Sequence, residues 1–214
     1  MVSQFHLNTL PSKKDSIKAM VKIKQVKKLR SLTGAGVMDC KRALEETDGN
    51  IELAVAVLRQ RGFERVSNRD KETKAGAIAS YVHNGHVGVL VEVQCETDFV
   101  ARTSQFREFA HNICLQVAAL NPRFISESQF NGDPEVSNRR AEMFLELSRS
   151  NRSAEEVHEI ISRRMDKTKN EECLLCQKYV KNSEITVKDY LMDIIARTGE
   201  KIVIKRFHRM ELGK

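Results

Sequence analysis

The chain changes hydrophobic rhythm along its length, and the changes divide it. Residues 1–20 hold no sustained apolar period and are interrupted by Pro11, which predicts a flexible extension. From Val21 to Gly62 apolar positions recur at helical spacing in three runs. Ile23, Val26, Leu29 and the neighbouring Leu32 mark the first helix, Val37, Cys40, Ala43 and Leu44 the second, and Ile51, Ala54, Val55 and Leu58 the third. The stretch from Thr33 to Gly36 and the Asp48-Gly49 turn break the runs. Asn50 is placed to cap the third helix and Gly62 to end it. Residues 21–63 thus read as a compact three-helix module, too small for a ligand pocket and suited to a surface contact.

Residues 64–74 are almost wholly polar and read as a linker. The period then falls to two. Ala75 to Val82 and His86 to Cys95 flank Asn84-Gly85, and Val87, Val89, Val91 and Val93 alternate, so the pair predicts a β-hairpin. Phe106, Phe109, Ile113 and Val117 place a helix directly after it. Asn131 to Pro134 marks a loop, and Met143, Leu145 and Leu147, then Val157, Ile160 and Ile161, suit two charged helices over about 135–170. Val187, Leu191, Ile194 and Ile195 suggest another helix, and Ile202 and Ile204 a closing strand. A hairpin alone is marginal, so the closing strand must complete a three-stranded antiparallel sheet faced by helices over 75–214. The expected class is α+β. Such a sheet keeps two edges that invite pairing with another subunit.

Composition narrows this picture without changing it. The 214 residues, 41% hydrophobic and 30% charged with 3 Pro and no Trp, suit one domain or two small ones rich in helix. No apolar run approaches the ~20 residues of a bilayer span, and the first residues lack a secretory apolar stretch, so the expected location is cytoplasmic or an organellar matrix, with no membrane. Eight of the 36 basic residues lie in 1–30 beside Asp15 alone, which leaves 28 of each sign elsewhere and a neutral body. A basic arm can touch RNA, but no specific nucleic-acid site is expected. Cys40, Cys95, Cys114, Cys173 and Cys176 are odd in number and sit in apolar or helical contexts, which disfavours a disulfide framework. Cys173 and Cys176 have metal or redox spacing, but no second pair or histidine set follows. Without a phosphate loop or a nucleophile elbow, neither a cofactor nor bond-making chemistry is expected.

Thr97-Asp98-Phe99-Val100 falls between a predicted strand and a predicted helix. On these residues alone, Asp98 can cap the helix with Phe99 packed beneath it, or the loop can project an aromatic wedge beside an acid. Val26-Lys-Lys-Leu-Arg-Ser-Leu-Thr-Gly-Ala-Gly-Val-Met-Asp-Cys-Lys-Arg-Ala-Leu44 and Cys95-Glu-Thr-Asp-Phe-Val-Ala101 resemble the two signatures of the elongation factor Ts family, and Thr198-Gly-Glu-Lys-Ile-Val-Ile-Lys-Arg-Phe207 its closing pattern. The resemblance covers about residues 20–214 and is to the short, single-core form. It implies a module like the ubiquitin-associated (UBA) type, a core of three-stranded sheet and helices, and guanine-nucleotide exchange on elongation factor Tu in its GDP-bound and nucleotide-free states. It assigns Asp98 and Phe99 of the Thr97 to Val100 motif to intrusion near the partner's Mg²⁺ region. It makes Met38 and Lys41 contacts to the G domain, and His83 and Gly199 further contacts. The sequence departs from the family at Thr198, where Ile is usual, at Thr103 and at Lys178. The single core and open sheet edges predict a homodimer that works as a two-to-two assembly. A protein-interaction or RNA-binding module of UBA type without exchange activity is the alternative class.

Overall fold

The computed structural model describes residues 13–67, 71–149 and 152–214, with backbone alone at 13–22 and 67. The chain divides into two compact units, one ending at Arg65 and one running from Val66 to Lys214. The predicted extension over 1–20 falls outside the described residues as far as residue 12.

The first unit is helical. It holds α1 (Lys13–Thr33), α2 (Val37–Glu46) and the body of α3 (Ile51–Ser67). Leu29, Cys40, Ala43, Leu44, Ala54 and Leu58 form its core, with Val26, Ala35, Ile51, Val55 and Val57 packed around them. Asn50 caps α3 as expected, its Oδ1 accepting the Glu52 and Leu53 amides at 3.0 and 3.1 Å. Three details differ from the pattern. Helix α1 starts at Lys13, eight residues before Val21, through a stretch without Gly or Pro. Ile23, Leu32 and Val37 were expected in the core and are exposed. Gly62 does not stop α3, which runs five residues on; one helical glycine costs only about 1 kcal/mol.

The second unit is α+β. Strands β1 (Ala75–His83), β2 (Val87–Cys95) and β5 (Val203–Glu211) form one antiparallel sheet in the order β1-β2-β5. Helices α4 (Asp98–Arg102) and α5 (Ser104–Leu120) follow β2, and α5 packs across β1 and β2. Val89, Val91 and Val93 on the inner face, and Phe106, Phe109, Ile113 and Val117 of α5, are buried, as the periods of two and of three or four require. Helices α6 (Glu127–Gly132), α7 (Pro134–Ser148) and α8 (Ala154–Glu172) build a separate cluster around Phe124, Phe130, Val136, Leu147, Val157, Ile161 and Met165. The loop expected at Asn131 to Pro134 shrinks to Asp133, which caps α7 by accepting the Glu135 and Val136 amides.

A short hairpin, β3 (Lys178–Tyr179) with β4 (Asn182–Thr186), precedes α9 (Val187–Thr198). It went unread in the sequence because its two pairing segments are too short to show a period. Buried Gln116 on α5 grips it: its Nε2 donates to Gln177 Oε1 and the Lys178 carbonyl, and its Oε1 accepts the Val180 amide at 2.9 Å. Asn112 accepts from Lys181 Nζ and donates to the Tyr190 hydroxyl, whose ionisation burial shifts upward.

At Gly76 the backbone of β1 leaves no room for a side chain against β2. A Cβ there would sit 2.2 Å from the Val93 carbonyl oxygen, a backbone atom with no room to yield. Gly76→Ala is expected to destabilise the second unit by about 2–3 kcal/mol, read as a lower urea midpoint with an unchanged slope.

Candidate functional site

The sheet register places the site. Cys95 ends β2 opposite Ala75, and Gln94 pairs with Val203 at the start of β5. Because the strands are antiparallel, the segment leaving β2 and the segment entering β5 emerge side by side. Residues 96–99 therefore meet residues 199–201, which lie a hundred positions away in the chain.

Thr97, not Asp98, is the N-cap of α4, its Oγ1 accepting the Val100 amide at 3.3 Å. Val100 is buried at 7% exposure and seats the turn in the core. Phe99 does not pack beneath the helix; it is 78% exposed, far out for an aromatic ring. Asp98 stands beside it with its side chain 74% exposed, paired to Arg102 at 2.8 Å. A pair so exposed is worth less than about 1 kcal/mol and opens readily. Cys95 donates to the Thr97 carbonyl at 3.1 Å, and burial, reinforced by the Glu200 charge, pushes its thiol pKa up, so it remains neutral.

Gly199 is the left-handed cap of α9 at φ 69°, and its amide donates to Ile195 O at 2.8 Å. The hydroxyl of Thr198, the residue that departs from the family pattern, donates to Ile194 O at 2.9 Å and closes the same helix end. The next residue, Glu200, accepts both the Thr97 amide at 3.1 Å and the Thr97 hydroxyl at 2.7 Å. In return Glu96 accepts the Lys201 amide at 2.9 Å and pairs with Lys71 at 3.0 Å. Glu96 and Glu200 lie within the sequence motifs, but local spacing assigns them no role. The signal was present: an antiparallel closing strand must bring the residue after Gly199 to the end of β2.

His83 is not brought to this cluster. It ends β1 at the turn, paired with Val87, while the cluster sits at the Ala75 end, about 26 Å away at a strand rise of ~3.3 Å per residue. Its Nδ1 is hydrogen-bonded to the Tyr81 hydroxyl at 2.9 Å. Met38 and Lys41 belong to the first unit. They lie one turn apart on α2, Met38 57% exposed and Lys41 near Glu45 at 3.9 Å. Exposed Leu32 and Val37 flank the 34–36 loop beside Met38 in sequence, so the module offers more apolar surface there than Met38 alone.

The outer sheet face is a further exposed apolar region. Ile78, Val82, Leu90 and Met210 share it with Ser80, His208 and the Glu92–Arg206 pair, and Leu212 lies just beyond β5. Arg206 holds the Glu92 carboxyl below its ordinary pKa range. A groove of about 710 Å³ between α7 and α8, lined in part by Phe144, Leu145, His158 and Met165, includes none of the predicted site residues. All five cysteines are free thiols. Among the described residues no group of three potential metal ligands comes together, and no helix is long and apolar enough to cross a membrane.

A helical module, then a three-stranded antiparallel core that presents an acid and an aromatic ring from a pinned one-turn helix, defines an α+β protein organised around an exposed loop. The family model described as "Elongation factor TS" matches residues 14–214. "Elongation factor Ts" of Caldanaerobacter subterraneus subsp. tengcongensis is 43% identical over 198 residues, 91% of this chain and 98% of that protein. "Elongation factor Ts" of Desulfosudis oleivorans is 44% identical over 192 residues, 88% and 96% of the two chains. That of Fervidobacterium nodosum is 40% identical over 197 residues, 91% and 99%. The chain belongs to the elongation factor Ts family.

Because Phe99 touches so little of its own protein, Phe99→Ala should leave stability within about 0.5 kcal/mol of the parent. Equilibrium urea unfolding checks this. A loss of the ~3–5 kcal/mol typical of a buried Phe would mean the ring packs inward in solution.

Proposed function

We propose that the protein is a guanine-nucleotide exchange factor that promotes GDP release from elongation factor Tu. The observation that carries this reading is the Asp98–Phe99 pair, held outward on a fixed turn inside the family's own motif. Phe99 enters the partner near its Mg²⁺-binding region, and burial of one ring contributes roughly 1.5–3 kcal/mol. Asp98, released from Arg102, brings a carboxylate that repels the phosphates and competes with them for the cation, and so loosens the nucleotide. Met38 and Lys41 on α2, and His83 and Gly199 on the core, supply further contacts that stabilise the nucleotide-free partner. The protein makes and breaks no bond. It contributes only a coupling free energy, so the factor by which it weakens nucleotide binding equals the factor by which nucleotide weakens its own.

The active form is a homodimer. A sheet face carrying Ile78, Val82, Leu90 and Met210, with no fourth strand beyond either edge among the described residues, is apolar surface that a second copy would cover through an isologous contact. Two copies would then serve two partners.

Stopped-flow release of a fluorescent GDP from elongation factor Tu tests the activity. The protein should accelerate release, and Phe99→Ala should lose at least about tenfold of that acceleration; no acceleration by the parent protein overturns the reading. For the dimer, sedimentation at micromolar concentration should give twice 24.4 kDa, and Leu90→Glu should dissociate it. A 24.4 kDa species with full exchange activity overturns the dimer requirement.

A further inference from the structure

We propose that Glu200 is a positioning residue for exchange: it completes the cap of α4 from across the sheet and thereby aims Asp98 and Phe99. The inference rests on the reading of Phe99 as the intruding residue.

Helix α4 spans only five residues, Asp98–Arg102, less than two turns. A helix so short does not hold its own direction, because nucleation fixes several dihedrals for one hydrogen bond. Its start must be specified from outside. In a capping box the N-cap side chain accepts the amide of the third helical residue, and that residue's carboxylate reaches back to the N-cap amide. The first half is present, with Thr97 Oγ1 accepting the Val100 amide at 3.3 Å. The second half cannot come from the helix, because its third residue is Val100, which is buried and has no acceptor in its side chain.

Glu200 fills that role from 103 positions away, its Oε2 accepting the Thr97 amide at 3.1 Å. Its Oε1 accepts the Thr97 hydroxyl proton at 2.7 Å, which turns the oxygen lone pairs toward Val100 and fixes the hydroxyl rotor. Both bonds are charge-assisted. The reciprocal bond from Glu96 to the Lys201 amide keeps the two segments in register, so the carboxylate cannot slide along the turn. The device links Gly199 to Asp98 and Phe99, and through it the C-terminal end of α9 sets where the exposed ring points.

The test uses the full chain and stopped-flow GDP release from elongation factor Tu, titrated to saturation. Glu200→Ala should lower the saturating release rate roughly ten- to hundredfold, as misplacement of a reacting contact by about 1 Å does. The concentration for half-saturation should change much less. Isosteric Glu200→Gln, which keeps one acceptor oxygen and the shape of the site, should recover part of the rate. In the Phe99→Ala background, Glu200→Ala should have little further effect, because it acts through Phe99. Wild-type rates for Glu200→Ala and Glu200→Gln, beside an impaired Phe99→Ala, overturn the proposal alone. Equal fold losses from Glu200→Ala in both backgrounds also overturn it, since the residue then acts elsewhere. Normal exchange by Phe99→Ala overturns the underlying reading and the proposal with it.

Discussion

The antiparallel pairing of β2 with β5 is the constraint on which the second unit depends. It joins residues separated by more than a hundred positions, so it carries a large loop-closure entropy and forms only because it completes the sheet. With β5 in place, β2 is central and its inward valines are covered by α5. The same pairing delivers residues 199–201 to the start of α4. Folding and site assembly are thus one event: a chain without its last strand would lose the sheet's third member and the carboxylate that caps α4 together.

Much of this was legible in the sequence, and the limits have physical causes. The hairpin followed from Asn84-Gly85 and the alternating valines, because a period of two leaves one face to bury; its register did not, since His83 pairs with Val87 across three turn residues rather than the two of an Asn-Gly turn. Helix α5 followed from Phe106, Phe109, Ile113 and Val117, and all four are buried. Helix ends were read less well. Gly62 carries no signal that tells a stop from a tolerated interior glycine, and the α1 stripe overstated burial because Ile23 and Leu32 face solvent. The β3–β4 hairpin owes its position to Gln116 and Asn112, polar residues whose partners no local pattern reveals.

At the site, the residues could be read but not their division of labour. Thr97 to Val100 appears in the sequence as one motif, and the fold splits it into an anchor, an acid, an exposed ring and a buried seat. Local spacing cannot make that split, because it depends on which side of a one-turn helix meets the core. Glu200 lay unread for the opposite reason: its role is set wholly by a non-local pairing. Burial makes Cys40, Cys95 and Cys114 poor nucleophiles by disfavouring their thiolates. The Cys114 pKa is pushed up to about 11 by desolvation, which leaves it protonated and inert at neutral pH.

The tight passage at Gly76 has a bearing on how the sheet finds its alignment. On the path that β1 takes at Gly76 a Cβ would meet the Val93 carbonyl, so a one-residue slip that puts Ala75 or Ala77 at that point would require the backbone to shift. The slipped hairpin would also turn the β1 side chains that face α5 out to solvent. A misaligned hairpin would thus lose both the close passage at Gly76 and the face that α5 covers, and β5 would meet a different edge.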